Sequence, residues 1–225
     1  MRISHRHRFV FLSNAKCGSE SIRKILNDYS DVFSDHLNRH PYNHHMSARE
    51  MKDHFMQMGW DWSQYFVFTT IRNPWDRVCS HFHHGAWDAN FTPRWEPEKY
   101  NPNTRCSFED FIQNKSKRNN MWPVVPYDEW AYDKAGNCLV HACLFIPELN
   151  ETLPPILDRL GITTYKMWHI NTSKHTHYSE YYTTETRELI GEMFKFDIKK
   201  FGFVYEDVSG KAKTQHKIRS ARIKI

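Results

Sequence analysis

The chain has 225 residues, 40% of them apolar and 15% aromatic, which is enough to bury one substantial core and excludes a disordered polymer. Its formal charge of +5 sits at one end: residues 209–225 carry Lys211, Lys213, Lys217, Arg219, Arg222 and Lys224 without an acid, leaving residues 1–208 at a net −1. No run approaches the roughly 20 apolar residues needed to span a bilayer, and the opening segment Met1 to Arg8 lacks the apolar stretch of a signal peptide.

In chain order, the first clear element is an apolar strand at Phe9 to Leu12. It runs through Ser13-Asn14-Ala15-Lys16-Cys17-Gly18 into a helix with Ile22, Ile25 and Leu26 on one face. A strand, a tight turn and a helix start form an anion site, because the helix start offers unpaired N–H groups and the positive end of its dipole. Lys16, Cys17, Gly18, Ser19, Glu20 and Ser21 are the candidates there. The turn is not a Walker A loop, which ends in Gly-Lys-Ser/Thr after a longer glycine-bounded stretch. Ser47-x-x-Glu50 predicts a capping box opening a helix through Phe55. A second strand, Tyr65 to Ile71, leads into Arg72-Asn73-Pro74, with Pro74 suited to a helix's first turn and Ser80 about two turns along it. Ser107 opens a further helix, Leu153 to Leu160 mark another that stops at Gly161, and a last one begins near Thr183. Strands alternating with helices predict an α/β fold with a central parallel sheet. Residues 86–106 and 118–136 are aromatic and proline-bearing without clear periodicity. They read as long loops, either shaping an acceptor pocket or capping the core.

The two strand-to-anion-site units together resemble the sulfotransferases that use 3′-phosphoadenosine 5′-phosphosulfate (PAPS), in particular the carbohydrate and Golgi-type branch. That family's Lys-x-Gly-Ser-x-Ser turn is matched by Lys16 to Ser21, and its Arg-Asn-Pro-x-Asp-Arg-x-x-Ser motif in full by Arg72 to Ser80. His45-Met46-Ser47-Ala48, the Asp133 to Asn137 turn, His169 to Lys174 and the closing stretch from Tyr181 to Phe203 extend the resemblance over residues 8 to 207. It implies a P-loop-like three-layer α/β/α domain over residues 1–208, followed by a basic tail over 209–225. The bland reading of that tail is a solvated segment.

The resemblance also implies the chemistry. Lys16 and the N–H groups after it would hold the 5′-phosphosulfate, Arg72 and Ser80 the 3′-phosphate, and Asn171, Ser173 and Lys174 would contact the nucleotide. A base must take the acceptor's proton near neutral pH, which suits an imidazole. His45 is the first candidate and the adjacent His44 the second; His141 and Glu148 are further options. No metal is expected in the chemistry. His81, His83 and His84 are crowded, but His81 and His84 lack an evident acidic or thiol partner and read as structural or solvated. Asp76 and Arg77 read as helix-start charge and packing.

Two features depart from the family's pattern. Glu20 stands where relatives carry a small or hydroxyl residue; like unit charges about 4 Å apart cost roughly 1 kcal/mol in water. Glu20 would therefore weaken donor binding unless it points outward or pairs with Arg23 or Lys24. Trp122 to Tyr127 replaces a His-x-x-Pro-Gln segment, so the acceptor side is expected to be specialised. The expected activity is sulfation of a carbohydrate or glycan hydroxyl, with a small-molecule acceptor or an inactive nucleotide-binding protein as alternatives. No nucleic acid partner is expected. Five cysteines without paired spacing predict reduced thiols. With no leader and a methionine shortly before the first strand, a cytoplasmic chain is expected.

Overall fold

The computed structural model describes residues 1–34, 43, 45–118, 121–167 and 175–208. They divide into two compact units, one built on residues 1–72 and 127–167, the other on 73–126 and 175–208. Residues 209–225, including the basic stretch, lie outside the described residues.

The first unit holds β1 (Arg2–Ser4), β2 (Phe9–Leu12), β3 (Val32–Phe33), β4 (Phe66–Ile71) and β5 (Ala142–Phe145). They form one sheet in the order β3-β1-β2-β4-β5. β2, β4 and β5 are parallel, with Phe9 opposite Phe66 and Phe68 opposite Ala142. Every residue of β2 is buried, as a parallel strand covered on both faces requires. Phe9, Phe11, Phe68 and Leu144 pack on Ile22 and Leu26 of α1 (Ser19–Leu26) and on Leu153, Ile156 and Leu157 of α6 (Leu149–Arg159). The alternate residues of the strands face the other layer, which contains α2 (Ala48–Gln57) and α5 (Tyr127–Ala131). There the Tyr127 hydroxyl meets Sγ of Cys143 at 2.9 Å. Burial pushes this phenol far above its ordinary range, so it stays protonated.

The three-layer α/β architecture is as expected, but the sheet is mixed rather than parallel throughout. β1 pairs antiparallel with β2 and with β3, Ile3 lying opposite both Val10 and Val32. β1 places Arg2 in a buried position, which is tolerated because its guanidinium is satisfied. It donates to Oδ1 of Asn27 at 2.7 Å and to the carbonyls of Met1 at 2.7 Å and Ser34 at 3.1 Å. The segment 118–136 is also not wholly irregular: α5 forms within it and buries Tyr127, Trp130 and Ala131. Tyr127 therefore belongs to the core of this unit.

The second unit contains α3 (Pro74–Gly85), α4 (Phe108–Lys117), α7 (Thr184–Met193) and α8 (Lys195–Phe201). α3 starts with Asn73 as cap and Pro74 in its first turn, and α4 and α7 are capped by Ser107 and Thr183. The loop 86–106 is organised around buried Asp88, whose carboxylate accepts N–H bonds from Asn90 at 2.8 Å, Thr92 at 2.9 Å and Asn101 at 3.0 Å. Those bonds, the one from Asn101 foremost, hold the carboxyl below the usual carboxylate range. Trp87 at the start of this loop is buried, while Trp95 is exposed. None of the five cysteines forms a disulfide, as expected. Among the described residues, no helix is long and apolar enough to cross a membrane.

Candidate active site

β2 and β4 are neighbours and parallel, so the chain leaves both at the same edge of the sheet, through Ser13 and Arg72 respectively. Crevices at the carboxyl ends of parallel strands are where open α/β sheets receive ligands. The turn after β2 is tied down at its base. Oγ1 of Thr69 on β4 donates to the Leu12 carbonyl at 2.7 Å, and the Cys17 N–H donates to the Asn14 carbonyl at 3.3 Å. Ser13, Asn14, Ala15 and Cys17 are buried, which leaves Lys16 half-exposed at the apex.

Two residues of this turn have left-handed backbones, Lys16 with φ 60° and Gly18 with φ 63°. For lysine that conformation costs roughly 1–2 kcal/mol and persists only where neighbours enforce it. One enforcing contact comes from Arg72, whose Nη1 donates to the Lys16 carbonyl at 3.2 Å. The first strand's turn and the second strand's exit thus meet in one place, the first bringing a lysine and the second an arginine. The φ of Gly18 favours glycine, and a Cβ there would also stand 3.3 Å from Cδ1 of Ile146, so that side-chain end would have to give by a few tenths of an ångström. Gly18 is also the N-cap of α1 and has no side chain to occupy the first-turn N–H groups. Glycine here therefore permits close approach of an anion to the helix start. Glu20 is exposed on that first turn and Ser19 is buried.

His45, just ahead of α2, reaches the same turn. Its Nδ1 lies 2.8 Å from the Ser13 carbonyl oxygen. A carbonyl only accepts, so Nδ1 carries the proton and the lone pair is on Nε2. The backbone around it is held by local bonds, the His45 N–H donating to Oδ1 of Asn43 at 3.0 Å and the Met46 N–H to the Asn43 carbonyl at 3.1 Å. Immediately after it the predicted capping box is formed: the Ser47 N–H donates to Oε2 of Glu50 at 2.7 Å, and the Glu50 N–H donates to Oγ of Ser47 at 3.2 Å. Such a cap is worth about 1 kcal/mol and fixes where α2 starts, and so where His45 stands.

α2 in turn grips the Asp133–Asn137 turn. Arg49 donates from Nε at 3.2 Å and Nη2 at 2.9 Å to the Tyr132 carbonyl, and Nζ of Lys52 lies 3.7 Å from Oδ2 of Asp133. The Asp133 carboxyl is held below its ordinary range, mainly by the N–H of Asn137. This segment therefore buttresses the helix behind His45.

The other candidates separate by position. His141 is at the opposite end of the strands, its Nδ1 accepting the N–H of Val67 near the start of β4 at 2.9 Å, so it does not meet the Ser13–Gly18 turn. Glu148 is half-buried just after β5, in the segment that supplies Ile146. Ser80 is buried on α3 in the second unit. Arg77 in the same helix is buried and donates to the Val125 carbonyl at 2.9 Å, a packing role. His81 is a core histidine, buried and edge-on to Trp87 at 5.3 Å. His44, Asn171, Ser173 and Lys174 lie outside the described residues, as does His169. The sequence reading missed the Arg72 to Lys16 bond, and it also missed a grouping of Cys79 and His83 with His175. Motif spacing assigns residues to a ligand but says nothing of the bonds they make to each other.

The model of the sulfotransferase family matches residues 1–204 of the chain. Among solved structures, the chain is similar to the crystal structure of mouse sulfotransferase SULT7A1 complexed with PAP, at 16% identity and a TM-score of 0.49, over 87% of this chain and 85% of that chain. No curated protein matches it.

Proposed function

The chain belongs to the sulfotransferase family of PAPS-dependent enzymes, and we propose that it moves the sulfuryl group of PAPS to a hydroxyl of a carbohydrate or glycan, with His45 as the base. The observation that carries this reading is the convergence of Arg72 and His45 on the turn that bears Lys16. The residues present fit the donor. Lys16 and Gly18 are left-handed, and a helix start with glycine as its cap follows, which suits a phosphosulfate. Arg72 and, by motif, Ser80 are assigned to the 3′-phosphate, the group that separates this nucleotide from ordinary adenine nucleotides.

When bound, the donor supplies the sulfuryl group and a bridging oxygen that leaves with the nucleotide. His45 accepts the acceptor's hydroxyl proton on Nε2 as the acceptor oxygen bonds to sulfur, and the Ser13 carbonyl keeps the imidazole in the tautomer that can do so. Lys16 and the N–H groups of Gly18 to Ser21 offset the charge that grows on the bridging oxygen as its bond to sulfur breaks. Glu20 is exposed on the first turn of α1, which is compatible with a carboxylate that points away from the donor.

The carbohydrate acceptor rests on the resemblance to the Golgi-type branch, and a screen with sulfur-labelled PAPS tests it. Label is expected on a glycan hydroxyl. Label appearing only on phenols, amines or other small metabolites would overturn the acceptor class while keeping the transfer reaction. No transfer to any acceptor would leave a nucleotide-binding protein.

A further inference from the structure

In the second unit, outside the residues assigned to the donor, three metal-ligating side chains come together. Cys79 and His83 are one turn apart on α3, and His175 arrives from a distant part of the chain. One ligand atom from each lies within 4.8 Å of the others, and Sγ of Cys79 is 4.0 Å from Nδ1 of His175. The imidazoles of His83 and His175 are stacked, their centroids 4.7 Å apart and their planes 14° from parallel.

One hydrogen bond sets the His175 ring up as a ligand. Nδ1 of His175 donates to the Thr176 carbonyl at 2.7 Å, which leaves the lone pair of that ring on Nε2. A backbone carbonyl on one nitrogen is the arrangement that orients metal-bound histidines and leaves the other nitrogen, here Nε2, as the ligand; the Cys79 thiol lies beside the same ring. Nε2 of His175 and Nε2 of His83 are both buried, and neither has a hydrogen-bond partner among the described residues. Buried polar atoms left unsatisfied cost about 1–3 kcal/mol each, so two in one place call for a common partner. Two stacked imidazoles lie beside a thiol, and neither Nε2 is satisfied within the described residues. A soft cation serves all three.

We infer that Cys79, His83 and His175 bind a zinc ion, Cys79 as thiolate and the two histidines as neutral imidazoles. One thiolate and two imidazoles suit zinc, whose ligands sit at roughly 2.3 Å for sulfur and 2.0–2.1 Å for nitrogen. Donor atoms in such a site are roughly 3.5 Å apart, so closing the group needs side-chain shifts of about 1 Å. Binding displaces the thiol proton to solvent, and affinity falls in acid accordingly. The described residues supply three ligands, which leaves a position for water. The ion's role is to brace α3 beside Ser80 rather than to take part in transfer. The proposal is thus independent of the sulfotransferase reading.

Titration of the metal-stripped chain with Co²⁺, followed by absorption and then by displacement with Zn²⁺, tests it. Stoichiometric cobalt is expected to give tetrahedral visible bands and a thiolate charge-transfer band that Zn²⁺ abolishes. Cys79→Ser should lose the charge-transfer band. His83→Gln and His175→Gln should each weaken Zn²⁺ binding by about 10²-fold, and His84→Gln, an exposed neighbour on the same helix, should leave it unchanged. Absence of the charge-transfer band in the wild type, its survival in Cys79→Ser, or equal weakening by His84→Gln and His175→Gln would overturn the site. Circular dichroism identifies a variant that has not folded; the remaining variants then decide.

Discussion

His45→Ala is expected to lower kcat by about 10²–10⁴-fold, the usual contribution of a positioned general base, while PAP affinity stays within about twofold of wild type. The separation follows from the geometry. The imidazole meets the donor turn at the Ser13 carbonyl, a backbone group one residue past Leu12, whose own carbonyl is held by Oγ1 of Thr69 on β4. His45→Asn sharpens the test, because its amide N–H can keep the bond to Ser13 without offering a basic nitrogen. If His45 acts only as a strut, asparagine restores activity. If it is the base, asparagine is as slow as alanine and both still bind PAP, which steady-state kinetics and calorimetry separate.

Lys16→Met is the second large effect, expected at about 10²–10³-fold in kcat/KM, comparable to removing one preorganised donor from a developing charge. Methionine preserves the length of the side chain and removes only the charge. The position is already left-handed at φ 60°, so the backbone cost is the same before and after substitution. Lys16→Arg should rescue little, since a planar guanidinium does not replace a compact ammonium at a turn already occupied by the Arg72 guanidinium. A kcat/KM within a few-fold of wild type for Lys16→Met would remove Lys16 from the reaction.

Most of what positions the site was legible from local chemistry. The helix starts at Ser47, Ser107 and Thr183 follow from capping residues at fixed offsets and that of α3 from Pro74; each is found capped by a side chain, α3 by that of Asn73. The strand at Phe9 to Leu12 followed from an apolar run short enough to be a strand and bounded by small polar residues. β1 was not legible for the opposite reason. Three residues with a charged side chain carry no period, and burial of Arg2 depends on acceptors from Asn27 and Ser34 that only the fold brings near. α5 was hidden because five residues hold no helical period, and its stability lies in burial of Tyr127 and Trp130.

In the site the same division holds. The anion turn and Arg72 were readable as motifs, since strand, turn and helix start are contiguous. The contact between Arg72 and the Lys16 carbonyl joins residues 56 apart, and the pairing of Cys79 with His175 joins residues 96 apart. Proximity of that kind is a property of topology, which local spacing does not encode. The crowding of His81, His83 and His84 was visible, but which of them faces a thiol was not. A helix puts residues four apart on one face, so Cys79 aligns with His83, and His81 turns into the core instead.

The measurement that bears most directly on the account is calorimetric titration of the full chain with PAP, with AMP as the control ligand and Arg72→Ala as the control protein. Micromolar binding of PAP, not reproduced by AMP and lost by at least about tenfold in Arg72→Ala, is the predicted result, since that guanidinium is the proposed partner of the 3′-phosphate and supports the Lys16 turn. Equal affinity for PAP and AMP, or PAP binding that Arg72→Ala leaves intact, would contradict the assignment of Arg72 to the 3′-phosphate and with it the donor site.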